Sequence, residues 1–336
     1  MKEIQNYVNK LKIGSVQQYE NMAVAPLMGK DSKLDYLVFD EAISLGLNVS
    51  ETGSVQSLRF SNNTDKEVLI IQGEYVLGGK QNRMVSRNVY MAKDFDGEVP
   101  VNCVQQHRWS SGMGEGRFRS SSKRAPRELC FAASISQGEV WNEVNYLHAN
   151  LEVRSETANL EDAYDQKNDE LSDYLSNFGY EPGSVGVVAV IQKQGKKVYS
   201  ADIFDRGDTM EKHFNKLLES YAIEAITGGE KAEQNKKDMT KFLGSLKDCN
   251  FNEQKPISLG RDFTIMGNNI QGSALLYNKT NVYVTFSTKP ERINTGPGRR
   301  SGRERLRPDI SMFNPNIPSG RFGTGFRRGL FGGDEQ

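Results

Sequence analysis

The features that this sequence lacks exclude several classes of protein. Its 336 residues include only 3 cysteines, too few and too scattered for the disulfide framework of a small secreted protein. No run approaches the ~18 consecutive apolar residues of a membrane-spanning helix. The N-terminal segment also lacks the apolar core of a secretory signal. We therefore expect a soluble, cytoplasmic protein without a membrane partner.

An excess of charge of one sign is also absent, because 43 Lys and Arg residues balance 43 Asp and Glu residues. This balance argues against a globally basic nucleic-acid-binding protein and against an acidic disordered chain. The charge is nevertheless unevenly distributed: residues 105–127 and 289–336 are basic, and residues 139–181 are strongly acidic. Such blocks are typical of solvated faces and loops.

The pattern of apolar residues predicts an α+β fold, with a β-rich N-terminal half and helices packed from the second half. Two short apolar runs at 55–60 and 68–71 flank an Asn-rich turn, which predicts a hairpin. The Gly-, Ser- and Arg-rich stretch at 110–127 predicts a mobile surface loop.

The second half contains longer patterns. Residues 141–178 and 209–226 have apolar residues at the three- and four-residue spacing of helices. A second hairpin is predicted from a strongly β-branched run at 185–191, a Gln-Gly turn, and a partner strand at 198–204.

The apolar pattern ends near residue 290, which predicts the domain organisation. We expect one domain at 1–290, with a possible sub-boundary near 128–140, and a flexible basic tail at 291–336. The tail is dominated by Arg, Gly, Pro and Asn, and it has too little apolar surface to form a packed core. Its Arg-Gly-Phe runs are similar to segments that bind RNA through charge and stacking. The tail could equally dock on the acidic 139–181 face, either of its own chain or of a neighbouring subunit.

A dense polar segment lies between two predicted strands. It consists of Gly78, Gly79, Lys80, Gln81, Asn82 and Arg83. Adjacent glycines permit positive φ and a close approach of the backbone to a ligand. The two cations suit a phosphate or carboxylate, and the two amides suit a base edge, a ribose or a carboxamide. The segment matches neither the P-loop nor the dinucleotide-binding pattern, and a simple glycine turn explains it about equally well.

A second group follows the next predicted strand, where Arg108 could hold an anion and Trp109 could stack on a ring. The alternative is a strand end with a buried Trp and an ion-paired Arg. Cys103 and His107 lie close by and suggest a nucleophile and its base, but a free cysteine in an apolar strand is usually inert. No motif has the spacing of a metal site, and we predict no metal.

Together these two segments resemble a known family, the ADP-ribosylglycohydrolase- and rhodanese-phosphatase-associated protein domain. The resemblance is carried by Gly73-Glu74, by GGKQNR at 78–83, and by the string from Val101 through Cys103 to Arg108-Trp109. It follows the order of elements over roughly 10–290 and is strongest over about 55–110. The family name records a genomic association with ADP-ribose and phosphatase enzymes. The resemblance therefore implies that the protein acts in a related pathway, without implying a reaction.

We therefore predict a small-ligand site for a nucleotide or ADP-ribose-like compound. Its predicted binding residues are Gly78, Gly79, Lys80, Gln81, Asn82, Arg83, Arg108 and Trp109. Whether the protein is an enzyme stays open; if it is, hydrolysis of a phosphoester or N-glycosidic bond would fit, with Glu74 as the base. The sequence identifies no cofactor and leaves self-association open. The alternative is a non-enzymatic assembly protein that binds RNA or protein through the tail.

Overall fold

A computed structural model of the chain describes residues 2–109, 118–193, 195–231 and 236–290. These residues form eight α-helices, one short 3-10 helix and eighteen strands, which confirms the predicted α+β class. Residues 291–336 lie outside the described part of the chain. The predicted tail, its boundary at 290 and the single domain before it therefore stay predictions.

The elements are named in chain order. The strands are β1 (Lys12–Ile13), β2 (Gln17–Tyr19), β3 (Met22–Met28), β4 (Tyr36–Val38), β5 (Leu47–Glu51), β6 (Ser57–Asn62), β7 (Glu67–Ile70), β8 (Glu74–Leu77), β9 (Arg83–Val85), β10 (Val89–Met91), β11 (Asp96–Cys103), β12 (Arg119–Arg124), β13 (Ser184–Lys193), β14 (Lys196–Phe204), β15 (Asn250–Gln254), β16 (Arg261–Met266), β17 (Ile270–Tyr277) and β18 (Thr280–Thr288). The helices are α1 (Lys2–Lys10), α2 (Phe39–Leu45), α3 (Arg127–Ala133), α4 (Gln137–Leu151), α5 (Leu160–Gln166), α6 (Asn168–Ser176), α7 (Gly207–Ala225) and α8 (Lys236–Gly244), and the 3-10 helix is Ser245–Asp248.

Three sheets organise the described residues. The nine-stranded sheet has the order β1-β3-β13-β14-β18-β17-β16-β15, with β2 paired to β3. A six-stranded sheet has the order β12-β8-β9-β11-β6-β5, and a three-stranded sheet has the order β10-β7-β4. All the described strand pairs are antiparallel except β4 with β7. The predicted site residues belong to the six-stranded sheet and to the loops at its strand ends.

The centre of the nine-stranded sheet is buried on both faces. Successive side chains of a strand lie on opposite sides of a sheet, and nine of the ten residues of β13 are buried. In β13, Val187 and Ala189 join one hydrophobic cluster, whereas Val188 and Val190 join another. The second cluster also includes side chains of α1 and α8. β13 pairs with β14 from Lys193 and Lys196 outward, so the predicted hairpin is confirmed.

Helix α7 confirms the helix predicted at 209–226 and connects two sheets. It packs on β13 and β14 of the nine-stranded sheet and on β12 of the six-stranded sheet. Leu217, Leu218 and Tyr221 lie in the same hydrophobic cluster as Tyr75 and other side chains of the six-stranded sheet. A helix between two sheets must be apolar on two sides, and 14 of its 19 residues are buried.

The hairpin predicted from 55–60 and 68–71 is wrong. Strand β6 pairs with β5 and β11, whereas β7 pairs with β4 and β10, so the two strands belong to different sheets. Both runs are apolar enough to pair with each other. Instead, β6 pairs with the preceding strand β5 and with the more distant β11, and β7 pairs with β4 and β10. Local alternation does not reveal which of several strands becomes the partner.

The surface loop predicted at 110–127 is also wrong over its second half. Residues 119–124 form β12, an outer strand of the six-stranded sheet, and Arg127 begins α3. Ser121 and Arg124 are buried although the segment reads as polar, because their side chains bond to buried groups. Residues 110–117 lie outside the described residues. The acidic stretch at 141–178 is helical as predicted, but as three helices, α4 to α6.

Candidate functional site

Gly78 and Gly79 begin the connection between the neighbouring strands β8 and β9. Both residues have positive φ, +123° and +51°, a region that residues with side chains rarely adopt. A Cβ atom at Gly79 would lie 2.2 Å from Cζ of Phe118 and 2.6 Å from Oε1 of Glu51. Position 79 therefore requires glycine for its backbone conformation and for the space that Phe118 and Glu51 occupy.

Arg108 holds this connection in place. Its Nη1 donates to the carbonyl oxygen of Gly79 at 2.7 Å, and its Nη2 lies 3.2 Å from the carbonyl oxygen of Gly78. The same Nη2 lies 3.2 Å from Oδ1 of Asn82, and Nε donates to Oε1 of Gln105 at 2.7 Å. The fold thus brings the two predicted segments together, and Arg108 contacts the loop rather than open solvent.

The two amide side chains of the loop are also engaged within the protein. Nε2 of Gln81 donates to the carbonyl oxygen of Gln105 at 3.1 Å. Nδ2 of Asn82 donates to Oδ1 of Asn159 at 3.0 Å. Both side chains are buried. These contacts shape the loop and engage the amide N–H groups, whereas Oε1 of Gln81 is buried without a hydrogen-bond partner among the described residues.

Arg83 differs from its neighbours because its charge is buried without hydrogen bonds. The side chain is 0% exposed, and Nε, Nη1 and Nη2 all lack a hydrogen-bond partner among the described residues. The nearest opposite charge is Oε2 of Glu51, 4.0 Å from Nη2. Burial lowers the pKa of Arg83, and the nearby charge of Arg108 lowers it further, against the opposing effect of Cys103 and Glu51. Such a group is costly to the folded state until an acceptor reaches it.

Trp109 lies beside Arg83 and completes the cluster. The centre of its ring is 5.7 Å from Cζ of Arg83 and 5.1 Å from Nζ of Lys80. The Trp109 side chain is half exposed, one of the few large apolar side chains at the surface of the described residues. The backbone N–H of Lys80 donates to Oε1 of Glu51 at 2.7 Å. We call Glu51, residues 78–83, Arg108 and Trp109 the Arg83 cluster.

Glu74 does not join the Arg83 cluster. It lies at the opposite end of β8, about 13 Å from Gly78 at the rise of an extended strand. Its Oε1 is 3.2 Å from Nζ of Lys216 and 3.6 Å from Nε2 of His213, and its Oε2 accepts from the backbone N–H of Ile71. Burial alone would raise the pKa of this carboxyl, but Lys216, His213 and Ile71 together lower it to about 2.

The surroundings of Glu74 and Cys103 bear on the chemical roles that the sequence suggests for them. A carboxyl with a pKa of about 2 is a weak proton acceptor at neutral pH, so the surroundings of Glu74 favour a structural charge. Burial raises the pKa of the Cys103 thiol, whereas reactive cysteines have a lowered pKa. The pKa shifts of Glu74 and Cys103 are therefore opposite to those of a general base and of a reactive thiol.

Glu51 and Phe118 are members of this environment that the sequence analysis missed. Glu51 ends β5, and no motif surrounds it; its role follows only from the pairing of β5 in the same sheet. Phe118 lies within the 110–127 stretch that is predicted to be a loop. A charged residue at the end of a strand is too common to signal a site by itself.

A surface groove of about 560 Å³ lies elsewhere, beside α8 and the 267–270 turn. Its lining includes Tyr199, Phe242 and Asn268 but none of the predicted site residues. No described polar side-chain atom of the lining is both buried and without a hydrogen bond, in contrast to Arg83. The groove therefore has size but no unsatisfied group that points to a ligand.

The described part of the chain lacks two other kinds of feature. No group of three or more His, Cys, Asp or Glu side chains there could hold a metal ion. Among the same residues, no helix is both long enough and apolar enough to cross a membrane.

The fold and the Arg83 cluster define an α+β protein with a buried cationic loop between two strands of a small sheet. A family model for the ARG and Rhodanese-Phosphatase-superfamily-associated Protein domain matches residues 10–287. The chain belongs to this family, as the resemblance predicted, and the family is associated with proteins of the ARG and rhodanese-phosphatase superfamilies. Comparison with curated proteins and with solved structures found no match.

Proposed function

We propose that this protein binds a nucleotide-like small molecule, such as an ADP-ribose derivative, at the Arg83 cluster. The observation that supports this most directly is the buried guanidinium of Arg83, none of whose nitrogens has a hydrogen-bond partner among the described residues. Proteins rarely keep such a group unless an acceptor satisfies it in some state. A ligand oxygen or ring nitrogen would provide that acceptor.

The neighbours of Arg83 suit the other parts of a nucleotide. The half-exposed ring of Trp109 offers a stacking surface for a base, and Lys80 carries a positive charge beside that ring for a phosphate. The association of the family with ARG-type proteins fits a ligand derived from ADP-ribose.

Access to Arg83 requires a local rearrangement, because its side chain is fully buried in the free protein. Trp109 is the candidate to move, since it contacts Arg83 and is half exposed. Ligand binding should therefore change the environment of the Trp109 indole, which provides a spectroscopic signal.

The proposal concerns binding, and no reaction is part of it. The prediction that Glu74 acts as the base of a hydrolase has little support, because Glu74 lies away from Arg83 and is held by Lys216 at 3.2 Å. A hydrolase would need another proton acceptor near the bound ligand.

A thermal-shift screen of AMP, GMP, ADP and ADP-ribose tests the proposal. At about a hundred times its Kd, a ligand specific for the native state stabilises the protein by about 2.7 kcal/mol, which corresponds to a rise of several degrees in Tm. We expect at least one compound to raise Tm of the wild type and to lose this effect in Arg83→Gln.

Arg59→Gln is the matched control. Arg59 lies in β6 of the same sheet, and its half-exposed side chain pairs with Asp96. The control removes the same charge from the same sheet without touching the Arg83 cluster, so it should keep the ligand effect. The proposal fails if no compound shifts the wild type, or if Arg59→Gln loses the effect as fully as Arg83→Gln.

The alternative prediction, binding of RNA or protein through the tail, concerns residues 291–336 and so lies outside the described residues. Truncation after Lys289 separates the two hypotheses. A ligand bound at the Arg83 cluster should bind the truncated protein with unchanged affinity, whereas a partner of the tail should not bind it.

A further inference from the structure

The buried guanidinium of Arg83 and the partly buried carboxylate of Glu51 face each other in the Arg83 cluster without a hydrogen bond. Oε2 of Glu51 lacks a hydrogen-bond partner among the described residues, as do the three nitrogens of Arg83. Oε2 and Nη2 are 4.0 Å apart, which is too far for a hydrogen bond between them. The pair therefore offers one free acceptor and one set of free donors at adjacent positions.

The carboxylate of Glu51 is fixed in this orientation. Its Oε1 accepts the backbone N–H of Lys80 at 2.7 Å, and it occupies the space that the missing side chain of Gly79 leaves open. Oε2 is thus the oxygen left for another donor. A ligand that enters here must satisfy a carboxylate as well as a guanidinium.

This requirement separates the classes of ligand group. A phosphate or carboxylate would bond to Arg83 but would be repelled by Glu51 a few ångströms away. A planar amide or amidine edge instead has a donor and an acceptor on neighbouring atoms, roughly 2.3 Å apart given the C=O and C–N bond lengths. If such an edge accepts a hydrogen bond from Nη2 of Arg83 and donates one to Oε2 of Glu51, these two protein atoms can lie 4.0 Å apart, as they do in the structure. Every nucleobase has an edge of this kind, as does a carboxamide.

We propose that Glu51 and Arg83 recognise the hydrogen-bonding edge of a nucleobase or of a carboxamide-bearing ring, and not a phosphate. Arg83 donates to the acceptor of that edge, Oε2 of Glu51 accepts from its donor, and the ring lies against Trp109. A phosphate on the same ligand is left to Lys80. This inference rests on the proposed function of the cluster and specifies which part of the ligand it recognises.

The test compares ligand fragments by fluorescence. The chain has only two tryptophans, so Trp141→Phe leaves Trp109 as the only reporter. In this background guanosine, adenosine, uridine and nicotinamide are titrated alongside ribose 5-phosphate and inorganic phosphate. We expect at least one base or nicotinamide to change the Trp109 emission, and both phosphate probes to bind at least about tenfold more weakly.

Glu51→Gln provides the sharper test, because it preserves the shape of the side chain. Its amide oxygen can still accept from Lys80 N–H, which places the NH2 group where Oε2 lies now. That NH2 group would face the donor of the ligand edge, so binding of the base or nicotinamide should weaken by at least about tenfold. Glu253→Gln is the control, since Glu253 forms an exposed ion pair with Arg261; it should leave binding unchanged.

The outcomes distinguish this inference from the proposed function. If ribose 5-phosphate or phosphate binds as tightly as the bases and binds more tightly to Glu51→Gln, Arg83 holds the phosphate; the inference is then wrong and the proposed function stands. If neither these probes nor the nucleotides bind, both are wrong. If Glu51→Gln does not fold, the preference of the wild type between base and phosphate probes still decides.

Discussion

The two strands that flank β8 each contain a buried arginine. The guanidinium of one arginine has hydrogen-bond partners, and that of the other has none among the described residues. In β12, Arg124 donates from Nε to the carbonyl oxygen of Gln72 at 3.0 Å, and its Nη2 is 3.6 Å from Oδ1 of Asp202. In β9, Arg83 has no hydrogen bond from its guanidinium within the described residues.

The surroundings of the two charges explain the contrast. Asp202 accepts from the hydroxyls of Tyr221 and Tyr283, so the Arg124 site is a connected polar network in the core. Burial would lower the pKa of Arg124, but Tyr283 and Asp202 raise it above the usual value. For Arg83, burial prevails and its pKa is lowered. The charge of Arg124 is satisfied within the core, whereas the unsatisfied charge of Arg83 is the observation on which the proposed ligand site rests.

Arg124→Met should have the largest effect on stability. It leaves the carboxylate of Asp202 buried without its cation, which typically costs about 3–5 kcal/mol. Urea unfolding at pH 7 measures the loss. Arg59→Met, at an exposed ion pair, should cost less than about 1 kcal/mol. Equal losses in the two variants would contradict the view that the network of Arg124 is structural.

Acid should lower the free energy of unfolding by protonating Glu74, the residue of β8 that pairs in register with Arg124 of β12. The pKa of Glu74 is lowered from 4.5 to about 2 in the folded state, so its stabilisation is fully present above pH ~4.5 and is lost as the pH falls toward 2. The shift corresponds to about 3 kcal/mol. The difference in unfolding free energy between the wild type and Glu74→Gln should shrink by about this amount over that range. A difference that does not change with pH would contradict the pairing with Lys216.

In the Arg83 cluster, the stability of the protein should depend on the absence of a side chain at Gly79. Gly79→Ala forces a Cβ atom against Phe118 and Glu51, and overpacking of this kind costs about 1–3 kcal/mol beyond the backbone strain. Gly53→Ala is the matched control: its φ is also positive, +84°, but nothing lies within 4 Å of the added Cβ. We expect urea unfolding to show a larger loss for Gly79→Ala. Equal losses would mean that the strand connection adapts easily.

The smallest effect on stability is expected for Arg83→Met. The variant relieves the cost of burying the Arg83 charge, but it leaves the carboxylate of Glu51 without that nearby cation. Because these effects oppose each other and most of the side-chain volume is kept, the net change should be within about 1 kcal/mol in either direction. The same variant should abolish the ligand-dependent rise in Tm. A loss of about 3 kcal/mol or more would show that the contact with Glu51 is structural, and the contrast between the two arginines would disappear.

Local pattern was enough to predict much of this fold. The β-branched run at 185–191 and its partner at 198–204 form the β13–β14 hairpin, because a short turn pairs neighbouring strands directly. The apolar spacing at 209–226 likewise predicts α7. The same logic failed for β6 and β7, because β6 pairs with its other neighbour β5 and with β11, and β7 pairs with β4 and β10. It also failed for β12, whose Ser121 and Arg124 are buried with hydrogen-bond partners distant in the sequence.

For the site, the sequence by itself determined which residue types are present: two glycines that permit the turn, two cations, and an arginine and a tryptophan after the next strand. Only the tertiary structure decided their roles. It uses Arg108 to hold the loop, places Glu74 in a separate ion cluster, and brings Glu51 from β5 to face Arg83. The physical reason is that the free energy of a charge depends on burial and on partners distant in the chain. Lys80, Arg83 and Arg108 therefore look alike in sequence and differ in the fold.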